Sequence, residues 1–207
     1  MKPTLREEKK LWKKGYKFVI GLDEAGRGAI AGPLFAGGVI LNSKIKISLL
    51  LRDSKKLSAQ KREEIYEKII KEKIKFAVSW VSPKTIDKIN ILEATKLAMK
   101  RVVKKLLADL SQKEKIFLLI DGNFKLPISF SQKSIIKGDE KIISITLASI
   151  VAKVNRDRMM ERYHKKYPQY GFLKHKGYPT KFHLKMVKKF GIFPFYRLTY
   201  KPIKDIF

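Results

Sequence analysis

The segment GLDEAGRG, residues 21–28, combines residue types that can do chemistry. Two carboxylates, Asp23 and Glu24, follow the apolar run FVIGL, and Arg27 lies between two glycines. An ionised carboxylate at the end of a buried strand costs free energy unless it is paired or metal-bound. Glycines let a backbone approach a ligand closely, and the arginine adds a fork of hydrogen-bond donors. The segment therefore predicts a cation site beside a substrate-reading loop.

Two further acids follow apolar runs in the same way. Asp121 comes after five apolar residues in IFLLIDG, residues 116–122, and Asp139 comes after IIKG. Hard oxygen ligands suit Mg²⁺ or Mn²⁺, and two such ions can clamp both sides of a phosphodiester during in-line displacement. The alternative, in which each acid merely pairs with one of many lysines, does not explain why all of them fall at strand ends.

The adjacency of Asp23 and Glu24 raises a stereochemical question. Neighbouring strand residues face opposite ways, so both cannot direct carboxylates at one metal without a bend. Either the strand ends between them, or Glu24 contributes partly through its backbone carbonyl. Asp23 is the better-placed ligand of the two.

The net charge predicts a polyanionic partner. The 207 residues include 47 Lys or Arg against 19 Asp or Glu, a formal net charge of +28. Such a surplus attracts nucleic acid, although a lysine-rich solvated surface is the alternative. Residues 164–207 interleave basic side chains with aromatic rings, as a surface that tracks a backbone and stacks on bases requires. For any one of these rings except Tyr178, burial in the core is the favoured interpretation.

The hydrophobic pattern predicts the elements that must position these residues. Strands are expected at residues 17–23, 31–41, 75–82 and 116–122, with a short one opening 133–140. Helices are expected over residues 58–74 with Ser58 as N-cap, from 83 to 110, from about 141 to 163, and over 180–190 before Gly191. Small residues in the third of these helices would allow close packing. This alternation of strands and helices along the chain predicts an α/β fold with helices on the faces of a sheet.

Composition excludes several classes of protein. The chain has no cysteine, so disulfides and thiolate metal sites are excluded. Its first 18 residues are too charged for a signal peptide. The longest weakly polar run, residues 30–41, is too short and too interrupted to span a bilayer. We therefore expect a cytoplasmic protein with no membrane partner, and a monomer is the expected assembly.

Seven motifs, in order and at suitable spacing, resemble the ribonuclease HII family. They are GLDEAGRGAIAGPL (21–34), DSKKLS (53–58), INILEATKLAMKR (89–101), LLIDGN (118–123), KGD (137–139), ASIVAKVNRDRMM (148–160) and HKGYPTKFH (175–183). The resemblance runs from about Lys17 to Tyr200. It implies a single catalytic domain with an RNase H-like mixed β-sheet flanked by helices. The core would cover about residues 16–158, and a basic, aromatic-rich helical extension about 159–207.

The resemblance also implies the activity. The family hydrolyses the RNA strand of RNA–DNA hybrids and incises at ribonucleotides embedded in duplex DNA, leaving 5′-phosphate and 3′-hydroxyl ends. The family's catalytic acids, which hold two divalent ions, fall on Asp23, Glu24, Asp121 and Asp139. Its 2′-hydroxyl-reading loop falls on Gly26, Arg27 and Gly28, and its sugar-stacking tyrosine falls on Tyr178. Lys55 and Lys153 would be phosphate contacts.

Two stretches depart from the family pattern. Residues 28–30 read Gly-Ala-Ile where a Pro-Leu pair is usual. Residues 196–200 read Tyr-Arg-Leu-Thr-Tyr where His-Arg-x-Ser-Phe is commoner. Neither stretch includes one of the four acids.

Three other interpretations compete with this one. The nearest is another metal-dependent nuclease of the same fold, such as a 3′–5′ exonuclease or a junction resolvase. Such exonucleases usually separate their first two acids by one residue, whereas Asp23 and Glu24 are adjacent. Ribonuclease HIII normally carries an extra N-terminal domain, and about sixteen residues precede the first strand here. A non-catalytic basic RNA-binding protein accounts for the charge but not for acids at strand ends.

Overall fold

The computed structural model describes residues 2–45, 58–108, 110 and 114–206. The strands are β1 (Phe18–Ala25), β2 (Leu34–Asn42), β3 (Phe76–Val81), β4 (Ile116–Asp121) and β5 (Ser131–Ile135). The helices are α1 (Arg6–Lys13), α2 (Ala59–Lys71), α3 (Pro83–Leu107), α4 (Ile143–Lys166), α5 (Phe172–His175), α6 (Lys181–Phe190) and α7 (Ile203–Ile206). The predicted α/β fold is confirmed. No helix in the described ranges has both the length and the apolarity needed to cross a bilayer.

The five strands form one mixed sheet in the order β3-β2-β1-β4-β5. Strand β2 runs antiparallel to both β1 and β3, whereas β4 and β5 run parallel to β1. The β1–β4 register pairs Leu22 with Ile120. The next residue on each strand is an acid, so Asp23 and Asp121 reach the same edge of the sheet together. The apolar composition of β4 suits a strand covered on both faces.

Helix α4 packs unusually close to one face of the sheet because two glycines face it. A Cβ on Gly21 would overlap the backbone of Ser144, and one on Gly37 would lie 2.8 Å from the amide nitrogen of Ala152. The close packing predicted for the small residues of this helix is therefore confirmed. Helix α3 covers the opposite face, where a separate apolar cluster forms.

Helix ends follow local signals, with one correction. Ser58 caps α2 as predicted, its Oγ accepting a 3.2 Å hydrogen bond from the Lys61 amide. The continuous helix predicted from 83 to 110 is wrong in detail: it ends at Leu107 and is interrupted at Asn90, where φ is 64°. The Asn90 side chain accepts hydrogen bonds from the amides of Leu92 and Glu93, at 2.9 and 3.1 Å, and so restarts the helix.

Helix α1 was not predicted from the sequence, and it stabilises the start of α4. Buried Glu8 accepts a 2.8 Å hydrogen bond from the Ser144 amide through Oε1. Helix α4 has no capping side chain of its own at Ile142. A carboxylate at a helix N-terminus satisfies free amides and complements the helix dipole.

Seven of the ten described aromatic rings of the C-terminal segment lie in or pack against one buried cluster, as favoured above, whereas Phe182 and Phe190 are exposed. The cluster joins the seven rings to α4 and to the loop after β1; it contains Ile30, Met160, Tyr170, Phe172, Phe195 and Tyr196. Tyr178 is 37% exposed. The C-terminal segment is therefore bound to the loop that follows the first two acids.

Candidate active site

The pairing of β1 with β4 places Asp23 beside Asp121. Asp23 is buried, and its carboxylate accepts a 2.7 Å hydrogen bond from the Glu24 amide, while the Ser149 side chain of α4 interacts favourably with its charged form. Asp121 accepts a 2.6 Å hydrogen bond from the Gly138 amide. Both predicted acids therefore lie where the carboxyl ends of two central parallel strands meet.

Asp139 reaches the same edge through the turn after β5. Lys137 adopts a left-handed conformation, with φ 55°, and begins the 3-10 turn Gly138–Glu140. Thr146 of α4 donates a 2.6 Å hydrogen bond to the Asp139 carbonyl. The KGD motif thus carries its acid from the edge strand back towards the sheet centre.

Glu24 points into an open cleft of about 470 Å³ that Asp139 also lines. Strand β1 continues through both neighbouring acids to Ala25, so no strand end separates Asp23 from Glu24. Glu24 Oε1 lies 3.4 Å from Arg27 Nη1, and its Oε2 is buried with no hydrogen-bond partner among the described residues. An orphaned carboxylate oxygen of this kind fits a site for a cation.

Burial and neighbouring carboxylates raise the pKa of three of these acids. Burial, followed by repulsion from Glu24 and Asp121, raises the pKa of Asp23 well above its usual range. Burial raises the pKa of Glu24 to about 7, against the opposing charge of Arg27. Burial and the neighbouring Asp121 also raise the pKa of Asp139. Full ionisation of the cluster near neutral pH therefore requires a compensating positive charge.

Within the described ranges, no group of three acidic or histidine side chains already has the geometry of a set of metal ligands. The charge pattern and the orphaned oxygen of Glu24 nevertheless suit hard divalent ions, because every donor in the cluster is a carboxylate oxygen.

The two glycines of the loop after β1 meet different requirements. Gly26 has φ 96°, and a Cβ there would overlap the guanidinium of Arg156. Gly28 has neither constraint: the nearest atom to a Cβ would be Tyr178 Cε1, at 3.9 Å. Gly26 therefore serves the fold, whereas Gly28 leaves space beside the Tyr178 ring. Arg27 and Gly28 are both exposed to the cleft.

Tyr178 is held against this loop by its backbone. The preceding carbonyl, of Gly177, accepts hydrogen bonds from Ile30 and Ala31 at 3.0 and 3.3 Å. The Tyr178 carbonyl lies 2.9 Å from His183 Nδ1, and His183 Nε2 lies 2.8 Å from the Tyr196 hydroxyl. Because a carbonyl only accepts, Nδ1 carries the proton and Nε2 accepts from the tyrosine. Burial lowers the pKa of His183 to about 4, which keeps this imidazole neutral.

Of the two lysines expected to contact phosphate, the structure describes only Lys153. Lys153 lines the cleft, but its Nζ forms a 2.7 Å ion pair with Asp157, and burial lowers its pKa. Lys55 lies outside the described residues.

Sequence reasoning missed four residues at this site. They are Arg62, which lines the cleft, Ser149, and the buried arginines Arg156 and Arg197. Helical spacing offered a signal for one of them, since Arg156 lies four residues after Ala152 and four before Met160 on the buried stripe of α4.

Comparisons with known proteins agree with this architecture. Residues 20–202 match the family model described as Ribonuclease HII. A ribonuclease HII of Caldicellulosiruptor bescii is 47% identical over 93% of this chain and 91% of its own. A ribonuclease HII of Endomicrobium trichonymphae is 48% identical over 96% of this chain and 92% of its own.

Solved structures show the same fold. Ribonuclease H2 from Pyrococcus horikoshii OT3 superimposes with a TM-score of 0.70 at 29% identity, covering 91% of this chain and 96% of that one. RNase HII of Archaeoglobus fulgidus, solved in a complex with PCNA, gives 0.69 at 28% identity, covering 89% and 95%. Bst-RNase HIII in complex with Mn²⁺ gives 0.71 at 17% identity, covering 91% and 68%, and so shows a likeness of fold alone.

Proposed function

The chain belongs to the ribonuclease HII family, endonucleases that hydrolyse the RNA strand of RNA–DNA hybrids, and we propose that four acids hold its divalent cations. The acids are Asp23, Glu24, Asp121 and Asp139. The observation that carries this proposal is geometric: the β1–β4 register sets Asp23 beside Asp121, the Gly138 amide that binds Asp121 directly precedes Asp139, and Glu24 lines the same cleft as Asp139.

The proposed ions are Mg²⁺ or Mn²⁺, two of them during catalysis. Bound there, they would supply Lewis-acid charge to the attacking and leaving oxygens of the scissile phosphate. The Mn²⁺ complex of the relative Bst-RNase HIII supports this class of ion. Within the protein, Ser149 and the Glu24 amide orient the Asp23 carboxylate, and the Gly138 amide orients that of Asp121.

The substrate contacts are proposed on the other side of the cleft. A lone ribonucleotide in DNA differs from its neighbours only by the 2′-hydroxyl of its sugar. Backbone amides of Gly26, Arg27 and Gly28 would bind that hydroxyl, and the exposed Tyr178 ring would stack on the next sugar. Lys153 and Arg62, which line the cleft, would contact phosphates, as would Lys55. Embedded single ribonucleotides are therefore proposed substrates.

A monomer is the proposed assembly. At one of the two edges of the sheet, strand β3, two carbonyls accept hydrogen bonds from side chains of α3. Arg101 donates to the Trp80 carbonyl at 3.2 Å, and Lys105 donates to that of Val78 at 2.8 Å. Basic side chains on a strand edge discourage its pairing with a second copy, which supports a monomer at this edge. Light scattering on the purified protein tests this.

The test of the metal site is Asp23→Asn on a labelled duplex with one embedded ribonucleotide. Removing one carboxylate should lower kcat on the order of 1000-fold or more, because metal charge stabilisation is worth several kcal/mol. Duplex binding should stay intact or tighten, since one negative charge beside a polyanion is lost. Glu64→Gln, an exposed acid of α2, is the control. Substantial Mg²⁺-dependent turnover by Asp23→Asn would rule out the assignment.

A further inference from the structure

Arg156 and Arg197 are both fully buried, and neither forms an ion pair within the ranges that the structure describes. Their hydrogen-bond acceptors are backbone carbonyls of the loop after β1. Burial lowers the pKa of both side chains, that of Arg197 to about 10. Burying a guanidinium without a carboxylate costs free energy, so these two positions require a reason beyond packing.

Arg197 holds two points of the loop at once. Its Nη1 donates to the Arg27 carbonyl at 2.9 Å, and its Nε and Nη2 donate to the Gly32 carbonyl at 3.2 and 3.0 Å. The Tyr200 hydroxyl adds a second hydrogen bond to the Arg27 carbonyl, at 3.0 Å. The hydroxyl is therefore a second anchor for that carbonyl, beside the guanidinium of Arg197.

The Arg27 carbonyl determines where the next amide points. A trans peptide is planar, so the carbonyl of Arg27 and the N–H of Gly28 point in opposite directions. Because Arg197 and Tyr200 hold that carbonyl on the protein side, the Gly28 N–H is directed outwards. Gly28 lines the cleft, and its N–H has no acceptor among the described residues. The result is a free, oriented donor at the cleft wall.

Arg156 connects the same loop to the Tyr178 ring. Its Nε and Nη2 lie 3.3 and 3.4 Å from the carbonyls of Pro33 and Ala31. Its guanidinium also packs against Gly26 and lies 5.3 Å from the centroid of the Tyr178 ring. One rigid cation therefore sets the spacing between the loop and the ring.

We propose, building on the proposed function, that Arg156 and Arg197 are positioning residues for ribose recognition. They fix the loop carbonyls on the protein side, present the Gly28 N–H to the 2′-hydroxyl, and hold Tyr178 at a set distance from it. Displacement of a reacting group by about 1 Å can cost on the order of 100-fold in rate. An ammonium group cannot replace this clamp, because it lacks the planar fork that joins two carbonyls.

The first arm of the test compares Arg197→Lys and Tyr200→Phe with matched controls. Arg197→Lys should lower kcat roughly 10- to 100-fold on the single-ribonucleotide duplex. KM should stay nearly unchanged, because Arg197 is fully buried and out of reach of a phosphate. Tyr200→Phe removes one of two hydrogen bonds and should lower kcat about 2- to 10-fold. Arg158→Lys is the arginine control, on the same helix as Arg156 but paired with Glu63. Tyr170→Phe is the tyrosine control, because its hydroxyl binds carbonyls of residues 190 and 191.

The second arm separates recognition from folding. Single-turnover rates are measured on duplexes with either a ribonucleotide or a 2′-fluoro nucleotide at the cleaved position, since fluorine accepts the amide hydrogen bond poorly. The rate on the ribonucleotide duplex divided by the rate on the 2′-fluoro duplex should fall in Arg197→Lys and in Tyr200→Phe. In both controls this ratio should stay at the wild-type value. Thermal unfolding establishes that each variant is folded, and Tyr200→Phe decides the question if Arg197→Lys does not fold.

Two results would overturn the inference. One is that folded Arg197→Lys and Tyr200→Phe keep both the wild-type kcat and the wild-type ratio of ribonucleotide to 2′-fluoro rates. The other is an equal loss on both nucleotides, which would mean a general structural role. Neither result would contradict the proposed metal site. That proposal has its own test, and only substantial Mg²⁺-dependent turnover by Asp23→Asn would contradict it.

Discussion

The Gly138 amide donates a 2.6 Å hydrogen bond to Oδ1 of Asp121, and this bond joins the turn that carries Asp139 to the end of β4. Gly138 directly precedes Asp139, and a Cβ at Gly138 would lie 3.3 Å from the same carboxylate oxygen. The turn after β5 therefore approaches the end of β4 closely. Asp121 thus acts both as a charged group of the site and as an anchor for its neighbour.

These two roles of Asp121 predict different results for two substitutions. Asp121→Asn keeps an oxygen that accepts the Gly138 bond, so it should abolish cleavage without loss of stability. Asp121→Ala should abolish cleavage and also lower the free energy of unfolding by about 1 kcal/mol or more, because the Gly138 amide loses its acceptor. Urea denaturation and cleavage assays on both variants check this. Equal stability of the two variants would contradict the anchoring role.

The raised pKa of Glu24 predicts a pH-dependent stability in metal-free protein. Its pKa rises from the ordinary 4.5 to about 7 on folding. Below pH 4.5 the group is protonated in both states; above that value only the folded state retains the proton, so stability falls until the pH passes about 7. The unfolding temperature in EDTA should therefore drop from pH 5 to 8, and saturating Mg²⁺ should reduce the drop.

Glu24→Gln is the matched variant for that experiment. Without a titratable group at this position, the variant should lose part of the drop in unfolding temperature between pH 5 and 8. Identical pH profiles for wild type and Glu24→Gln in EDTA would assign the dependence to other groups.

The contrast between the two loop glycines predicts that Gly28→Ala folds normally but is a poor enzyme. Its backbone is not left-handed, and the nearest atom to the added methyl is 3.9 Å away. The methyl would occupy the space beside the Tyr178 ring where the sugar is proposed to bind. Gly26→Ala should instead lower stability, because it combines φ 96° with overlap of Arg156. Unfolding temperature and kcat/KM, measured together, separate the two effects.

Tyr178→Ala should reveal whether the ring senses the step from RNA to DNA. A ring stacked on a sugar without a 2′-hydroxyl matters most at a single embedded ribonucleotide. The variant should therefore lose more kcat/KM on that substrate than on an all-RNA hybrid strand, whereas Arg27→Ala should impair both. Equal losses on the two substrates for Tyr178→Ala would remove the sensing role and leave the ring a packing function.

Exposed lysines beside Tyr178 should contribute to the salt dependence of binding. Replacing Lys174 and Lys181 with Ala should reduce the slope of log K against log salt by about 1 to 2 units, at roughly 0.9 per lost phosphate contact. Lys13 and Lys14 are the control pair, because they precede β1 and lie at the opposite end of the sheet from its acids. Chemistry on bound substrate should change little. An unchanged slope would mean that Lys174 and Lys181 are solvent-exposed and contact no phosphate.

Much of this site was predictable because its signals are local. Asp23 and Asp121 each end an apolar run, and an acid in that position is recognisable without knowing the fold. Ser58 is likewise identified by its neighbours in the chain. The break at Asn90 was also a local signal, but the continuous apolar pattern around it concealed the side-chain cap.

The sequence by itself determined which residues carry charge at strand ends, and the tertiary structure decided which of them meet. Only the parallel register of β1 and β4 places Asp23 beside Asp121. Only packing across the chain brings Glu8 to the start of α4 and Arg197 to the Arg27 carbonyl. Such contacts join residues separated by more than a hundred positions. Periodicity and capping act within a few residues, so these long-range contacts depend on the packing of the whole chain.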